Sequence, residues 1–188
     1  MALAHAILSL LSDRPASGYD ITKQFDSSVG FFWKATHQQV YRELAKLEAQ
    51  GWVESDTIAQ TGRPDKKLYR ATTTGLQALR DWIAEPTETA PLKEDLLVKL
   101  YAGAIAPTPV LIQEVQRHRR FYGDRLATYR HIESTYFAQP DQLPHADALR
   151  YLTLRRGLRH AQSWIDWCDE AIALLQLQIS HSGANRAE

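Results

Sequence analysis

The sequence has little cysteine and no export signal that we recognise. Its 188 residues include one cysteine, Cys168, so no disulfide can form within the chain. No basic and apolar leader follows Met1, and no apolar run approaches the roughly 18 residues that a membrane-spanning helix needs. We therefore expect a cytoplasmic protein.

Catalytic and cofactor motifs are also missing. The seven histidines are scattered without an i, i+4 pair or a Cys/His cluster, and the chain has no Gly-rich phosphate loop. Cys168 falls on an apolar helix stripe, where a thiol is buried and inert. His118 and His160 also lie on apolar stripes, and we interpret them as core histidines. The sequence thus predicts a protein that is not an enzyme and that uses no metal or cofactor.

The chain also has no excess of positive or negative charge, since 22 Lys and Arg residues balance 22 Asp and Glu residues. A uniformly basic coat for nucleic acid is excluded, so recognition by charge requires a local patch. The length allows one large domain or two small ones. Gly, Pro and Thr interrupt the first part of the chain repeatedly, whereas the remainder is almost all helical pattern. We therefore predict a domain over 1–90, a helical domain over 91–180 and a disordered polar tail over 181–188.

The first domain has the element order of a winged helix-turn-helix. An apolar i, i+4, i+7, i+8 stripe predicts a first helix, and a cap at Ser17 predicts a second. Thr36 and Gln39 have the spacing of a capping box and start a third helix, which ends at Gly51. Two short extended runs around a turn predict a β-hairpin, and a cap at Thr74 starts a fourth helix. This order predicts a mainly α fold with one small hairpin.

The third helix, over 36–50, has one face suited to a DNA groove. At 100° per residue, Val40, Leu44 and Leu47 define its core side. The opposite and flanking positions carry Gln38, Gln39, Tyr41, Arg42 and Lys46. Gln can pair with adenine, Arg with guanine or phosphate, and Lys with phosphate. The alternative is an ordinary solvated helix face.

The hairpin that follows, over 59–70, resembles a basic wing. Its cations are Arg63, Lys66, Lys67 and Arg70, against the single Asp65. Beside the third helix, such a wing would lie along the DNA backbone or in the minor groove, and its contribution to affinity would fall with salt. The alternative is a basic loop that only adds solubility. Helix and wing in this order favour DNA binding.

Long helices with heptad-like spacing dominate the second domain. The last helix carries apolar residues spaced alternately three and four apart, with a second apolar stripe beside them. One partner helix cannot cover both faces, so we predict a homodimer joined by a long-helix antiparallel coiled coil. The predicted dimer interface is Leu154, Leu158, Ala161, Trp164, Ile165, Trp167, Cys168, Ile172 and Leu175. The alternative is that the short helix around Leu96 covers the additional face within one chain.

Both domains resemble the PadR family of bacterial transcriptional regulators. The matching runs in the first domain are GYDITK at 18–23, FFWKA at 31–35, HQQVYREL at 37–44 and GRP at 62–64. In the second domain, LTLRR at 152–156 and WIDW at 164–167 are similar to the helical C-terminal part of the AphA-like branch. The resemblance covers nearly the whole chain.

This resemblance implies a homodimer in which two winged helices sit on a helical dimerisation domain and bind partly palindromic double-stranded promoter DNA. The implied DNA contacts are Gln38, Gln39, Tyr41 and Arg42 in the recognition helix and Arg63, Lys66 and Lys67 in the wing. Many PadR relatives repress, and some release DNA when a small aromatic molecule binds. The AphA-like activator instead works beside a LysR-type partner, so the direction of regulation stays open.

A possible effector pocket involves Phe31, Phe32 and Trp33, which lie between the second and third helices and could meet Trp164 or Trp167. The alternative, which we favour, is that these aromatics join the domains or pack under the third helix. For the function as a whole, the alternative to a DNA-binding regulator is a winged-helix protein-interaction scaffold that does not bind DNA.

Overall fold

The computed structural model of the chain describes residues 2–27, 35–59, 65–89, 91 and 93–184. These residues form two compact units, Met1–Thr89 and Ala90–Glu188, which we call unit 1 and unit 2. Unit 1 contains the helices α1 Ala2–Leu11, α2 Gly18–Ser27, α3 His37–Ala49 and α4 Thr73–Ala84, and the strands β1 Ala16–Ser17, β2 Val53–Ile58 and β3 Lys66–Ala71. Unit 2 contains α5 Asp95–Tyr101, α6 Thr108–Tyr136 and α7 His145–Ala184, with short 3-10 turns at Gly103–Ile105 and Pro140–Gln142.

The three strands of unit 1 form one antiparallel sheet in the order β1-β3-β2. Tyr69 of β3 lies opposite Ala16 of β1 on one side and opposite Ser55 of β2 on the other. The hairpin β2–β3 is the predicted wing. The two-residue strand β1 was not predicted, because two residues leave no periodicity to detect. It ties the start of α2 to the wing strands.

The helices of unit 1 pack around one apolar core. The apolar side chains with at most 2% exposure come from α1, α2, α3 and β2. They are Ile7, Leu8, Ile21, Phe25, Val40, Leu44, Leu47 and Val53. At about 25 cal/mol per Å² of buried apolar surface, this cluster supplies the main driving force for folding unit 1. The helices, hairpin and helix follow in the predicted order, which confirms the winged helix-turn-helix fold.

Hydrogen-bonding caps set the helix starts. Thr36 accepts a hydrogen bond from the Gln39 amide, and the Gln39 side chain accepts one from the Thr36 amide, so the predicted capping box of α3 is present. The prediction of Thr74 as the cap of α4 is wrong. The cap is Thr72, whose hydroxyl accepts from the Gly75 amide and donates to the Gly51 carbonyl.

Two glycines let α3, the wing and α4 meet at one junction. Gly51, two residues after the last residue of α3, has a φ of +68°, the left-handed conformation that ends helices and that glycine adopts without strain. Gly75 lies against the backbone of Trp52, and a Cβ at this position would be 2.1 Å from the Trp52 carbonyl oxygen. The junction therefore has no room for a side chain at residue 75.

In unit 2, α6 and α7 form an antiparallel pair. The Tyr151 hydroxyl near the start of α7 donates to Glu133 near the end of α6, at 2.8 Å. At the other end of the pair, Arg119 donates to Asp169. The two helices approach closely at Gly157, where a Cβ would lie 3.1 Å from the Tyr129 ring. The long antiparallel helices match the predicted class of the second domain.

Three residues of the predicted α7 interface are buried within the chain. Leu154, Ala161 and Cys168 are at most 9% exposed, and Cys168 shares a buried cluster with Leu96 and Val115. Helices of the same chain already bury these three residues of the predicted dimer interface, and their part in that interface stays a prediction. The Cys168 thiol is buried as predicted, and burial raises its pKa.

Other seam residues are only partly buried. They are Leu158, Trp164, Ile165, Trp167, Ile172 and Leu175. Several of them pack on the cluster formed by Leu96, Val115 and Cys168, as expected if the helix around Leu96 covers part of the additional face.

The C-terminal boundary also differs from the prediction. α7 continues to Ala184, so the prediction of disorder is wrong for residues 181–184, while 185–188 lie outside the described residues. Adding residues to an existing helix costs much less than nucleating a new one, which lets a polar sequence extend it. No helix within the described ranges is long and apolar enough to cross a membrane.

Candidate nucleic-acid interface

The orientation of α3 is set by three buried side chains. Val40, Leu44 and Leu47 are all 0% exposed, so this side of the helix faces the core. The other side is exposed and carries Gln38, Tyr41, Arg42 and Ala45. We call these four residues the reading face. Their spacing of three, one and three residues places them along one side of a helix.

The two neighbouring glutamines differ in what they can offer. The Gln39 side-chain carbonyl accepts the Thr36 amide at 2.8 Å in the capping box. Bidentate pairing with adenine needs both the carbonyl and the amide group, so a capping Gln39 cannot make it. Gln38 is exposed, and its side chain makes no hydrogen bond to the described part of the chain. Gln38 is therefore the better candidate for reading a base.

The wing lysines are ion-paired to α2 and α3. Lys66 lies 3.1 Å from Asp20 of α2, and Lys67 lies 2.7 Å from Glu48 near the end of α3. Lys67 also lies 5.2 Å from the centre of the Tyr69 ring. These contacts connect both helices of the helix-turn-helix to β3. Each lysine thus neutralises a carboxylate in addition to any contact with DNA.

Glu48 joins α3 to both strands of the wing. Lys67 of β3 donates to one carboxylate oxygen, and the Ser55 hydroxyl of β2 donates to the other. Lys67 first, and then Ser55, lowers the pKa of Glu48 below its usual 4.5. In return Glu48 raises the pKa of Lys67. The wing therefore has a fixed attachment to the C-terminal half of the recognition helix.

Asp20 plays the corresponding part at the start of α2. Its carboxylate accepts the Ser17 hydroxyl at 2.7 Å and the Ser17 amide at 3.3 Å, while its own amide donates to Ser17. Hydrogen bonding from Ser17, and next from Lys66, lowers the pKa of Asp20. The predicted Ser17 cap is confirmed, and it is also linked to the wing.

The remaining predicted cations divide into paired and unpaired groups. Arg70 pairs with Asp56 and Glu54 on the neighbouring strand, and Lys46 lies 3.4 Å from Glu43 one turn earlier. Arg42 has no ion-pair partner within the described ranges. Removing it from the free protein would therefore break no salt bridge among those residues. Arg63 lies outside the described residues.

The acidic partners of the wing cations come mostly from outside the predicted wing. Within that segment the cations face only Asp65, whereas the fold brings Asp20, Glu48, Glu54 and Asp56 to them. The expectation of an unbalanced basic wing is therefore corrected for Lys66, Lys67 and Arg70. The alternation of acidic residues on β2 was a signal for the cross-strand pairs. Asp20 and Glu48 gave no comparable signal, since they are distant in sequence.

Unit 2 contains a cluster of aromatic rings between α6 and α7. Tyr122 stacks on Trp164 with centroids 5.0 Å apart and planes within 7°, and Trp164 meets Trp167 edge to face at 5.3 Å. His118 and His160 lie beside Trp164 at 6.2 and 6.4 Å. We call these five residues the aromatic cluster.

The surroundings of the aromatic cluster differ from ring to ring. Burial is the main cause that raises the pKa of Tyr122 and lowers that of His160, where Arg156 adds to the effect. His160 is nevertheless an exposed residue, so its prediction as a core histidine is wrong. Phe31, Phe32 and Trp33, the predicted pocket residues, lie outside the described residues.

Two family models match the chain in succession. The model described as the transcriptional regulator PadR-like family matches residues 7–81, and the model described as virulence activator alpha C-term matches residues 92–176. The first lies within unit 1 and the second within unit 2. The chain is thus a winged-helix transcriptional regulator with a C-terminal helical domain.

Comparison with similar proteins identifies the family of regulators. A probable transcriptional regulator of Mycobacterium tuberculosis is 42% identical over 94% of this chain and 98% of its own length. The structure of the Vibrio cholerae virulence activator AphA is similar, with a TM-score of 0.78 and 38% identity over 94% of this chain and 99% of that chain. The chain belongs to the PadR-like family of transcriptional regulators, and its relatives are named as regulators rather than enzymes.

Bacillus subtilis PadR, a negative transcriptional regulator, is a further relative. Its structure in complex with operator DNA has a TM-score of 0.82 and 27% identity to this chain, covering 93% of this chain and 99% of that chain. Its structure in complex with p-coumaric acid has a TM-score of 0.78 and 26% identity, covering 94% of this chain and 99% of that one.

The Glu48 attachment predicts a pH-dependent stability difference. A lowered carboxylate pKa stabilises the fold above the ordinary value and loses this effect as the pH falls through the native value. We expect Glu48→Gln to lower the free energy of unfolding by about 0.5 kcal/mol at pH 7, as for a largely exposed ion pair. The difference should shrink below pH 4.5 and vanish once the carboxyl is protonated, as measured by denaturant unfolding.

Hydrogen exchange provides the control. Glu48→Gln should speed exchange of the β3 amides, whereas Glu43→Gln, which breaks only the ion pair with Lys46 within α3, should leave them unchanged. Equal β3 protection in both variants and the wild type would contradict the attachment.

Proposed function

We propose that this protein is a homodimeric, sequence-specific regulator that binds double-stranded promoter DNA with α3 and the β2–β3 wing. The observation that carries the proposal is the exposed reading face, fixed by a fully buried opposite side. The operator complex of Bacillus subtilis PadR supports it, since that relative shares the fold over nearly the whole chain. The relatives offer no support for a scaffold that does not bind DNA.

The roles within the interface follow from side-chain chemistry. Gln38 would read a base edge in the major groove, where its amide matches adenine. Arg42 and Lys46 would contact guanine or phosphate beside it. Lys66 and Lys67 would exchange part of their carboxylate pairing for phosphate, so their net electrostatic gain is smaller than that of an unpaired lysine. Arg63, Gln39 and Tyr41 stay predicted contacts on sequence grounds.

Gln38→Ala should mainly relax base preference. We expect a loss of about 1 to 3 kcal/mol at one position of the preferred site and little change on unrelated DNA. The measurement is a fluorescence anisotropy titration against the region upstream of the protein's own gene, its single-base variants and a scrambled duplex. Gln77→Ala, another exposed glutamine on a helix of unit 1, is the matched control. Unchanged preference in Gln38→Ala would remove this residue from the groove.

The dimer proposal rests on apolar side chains that the chain leaves uncovered. Tyr101 is 96% exposed and Ile105 is 93% exposed, and both lie at the end of α5 or in the turn after it. Further exposed apolar residues of unit 2 include Val98, Val110, Leu174 and Leu177. Leu96 and Leu100 of α5 pack in the same cluster as Ile172 and Leu175 of α7, so α5 borders the later half of α7.

Exposed apolar surface of this kind marks an interface, and the PadR resemblance makes a second copy the proposed occupant. The partly buried seam residues Leu158, Trp164, Ile165, Trp167, Ile172 and Leu175 stay predicted parts of the same interface. Leu154, Ala161 and Cys168 would support it from inside the chain.

A double substitution, Tyr101→Asp with Ile105→Asp, should convert the dimer into monomers. Because both side chains are almost fully exposed in the single chain, the change should leave the helix content of the monomer intact. The measurements are mass by light scattering and helix content by circular dichroism. Gln142→Asp places the same charge on another exposed turn of unit 2 and should leave the dimer intact. A dimeric double variant would show that these residues lie outside the interface.

We further propose that a small aromatic acid binds at the aromatic cluster and modulates DNA binding. The complex of Bacillus subtilis PadR with p-coumaric acid supports an effector of this class. Within this chain, the stacked Tyr122 and Trp164 rings with the exposed His160 at their edge provide surfaces on which a flat ring can stack.

Titration with p-coumarate should quench tryptophan fluorescence, whereas cyclohexanecarboxylate, an aliphatic acid of equal charge, should not. His160→Ala should weaken p-coumarate binding by about threefold to tenfold through loss of one ring contact. Equal responses to both acids, or an unaffected His160→Ala, would contradict binding at this cluster.

The proposed cellular location follows from this role. Because the protein is proposed to bind promoter DNA, we also propose that it acts in the cytoplasm. A LysR-type co-regulator stays a prediction based on the AphA resemblance. Relatives include both a virulence activator and a negative regulator, so activation and repression both stay open for this chain.

A further inference from the structure

The Tyr41 ring rests directly on Gly18, the first residue of α2. A Cβ placed on Gly18 would lie 2.5 Å from Cε1, 2.8 Å from Cζ and 3.1 Å from the hydroxyl oxygen of Tyr41. Carbon atoms in favourable contact are about 3.5 to 4.0 Å apart, so a methyl group would force the ring to move by about 1 Å. The contact joins the two helices of the helix-turn-helix at one point.

Backbone conformation does not account for glycine at this position. Among the described glycines only Gly51 has a positive φ, so residue 18 has a backbone that other residues adopt freely. Alanine is also the stronger helix former. The space that Tyr41 occupies is therefore the physical reason for having no side chain at residue 18.

Tyr41 belongs to the reading face. It lies three residues after Gln38 and next to Arg42, and 47% of its surface is exposed. One part of the ring lies on α2 while the rest faces solvent beside the base-reading candidates. A movement of the ring away from α2 therefore changes the shape of this face.

The surface beneath the ring is held firmly. Gly18 is buried, and Ser17 before it is paired with Leu68 of β3. Asp20 accepts hydrogen bonds from Ser17 and lies 3.1 Å from Lys66. Because β3 holds the start of α2 through strand pairing and an ion pair, the Tyr41 ring is the part that yields when the contact becomes too tight.

We propose that Gly18 is a positioning residue for DNA recognition, since the missing side chain seats the Tyr41 ring low enough for Gln38 and Arg42 to reach DNA. This inference rests on the proposed DNA-binding function. Gly18 itself needs no contact with DNA, and it acts through the ring. Tyr41 is then a determinant of how closely the reading face approaches the groove.

A double-mutant cycle in the full-length protein tests this inference. Affinity for the upstream promoter fragment is measured for the wild type, Gly18→Ala, Tyr41→Ala and the double variant. We expect Gly18→Ala to weaken binding roughly tenfold in the wild type and less than about twofold in the Tyr41→Ala background. In a Tyr41→Phe background, which keeps the contacting ring carbons, the effect of Gly18→Ala should persist.

Gly123→Ala is the control, since a Cβ at that position of α6 meets nothing within 4 Å. It should leave DNA affinity unchanged. Thermal unfolding of every variant shows whether the methyl group acts on the fold. If Gly18→Ala does not fold, the inference requires that adding Tyr41→Ala restores folding.

The outcomes separate the two proposals. A wild-type protein that binds no DNA overturns the proposed function. If the wild type binds DNA but Gly18→Ala lowers affinity equally in the wild-type and Tyr41→Ala backgrounds, only the proposed seating of Tyr41 is overturned. The same holds if Gly18→Ala leaves affinity unchanged, or if its effect disappears in the Tyr41→Phe background.

Discussion

The burial of Val40, Leu44 and Leu47 against the core of unit 1 is the constraint on which the interface depends. A helix with three fully buried side chains on one side cannot rotate about its axis without exposing them, at a cost of about 1.5 to 3 kcal/mol for each. The reading face is thus determined by the residues that never meet DNA. Its polar chemistry becomes useful because its direction is fixed.

Electrostatic pairing then places the wing relative to that helix. Glu48 binds both strands of the hairpin, and Asp20 connects the start of α2 to β3. These carboxylates remove part of the positive charge that the wing sequence displays. A lysine that holds the wing in place by pairing with a carboxylate is less available for phosphate. In the described part of this wing, Lys66 and Lys67 are paired, so the wing is held in place at the cost of free positive charge. Arg42, which has no ion-pair partner among the described residues, is correspondingly more important for the net field of the reading face.

The sequence was sufficient to predict what local chemistry determines. Periodicity identified the core side of α3, and the Thr36 capping box identified its start, because both depend on residues within a few positions. The Glu48 pairs and the contact between Gly18 and Tyr41 join residues that are distant along the chain, so no local pattern indicates them. The seam of α7 shows a further limit. Its spacing predicted burial correctly at Cys168, but hydrophobic spacing contains no information on whether the covering helix belongs to the same molecule.

The contact between Gly75 and the Trp52 backbone has a mechanical consequence. α4 begins against the carbonyl of Trp52, three residues after the end of α3, and a Cβ at Gly75 would lie only 2.1 Å from that oxygen. The start of α4 and the residues that follow α3 are therefore in direct contact, and any side chain added at residue 75 would displace both of them.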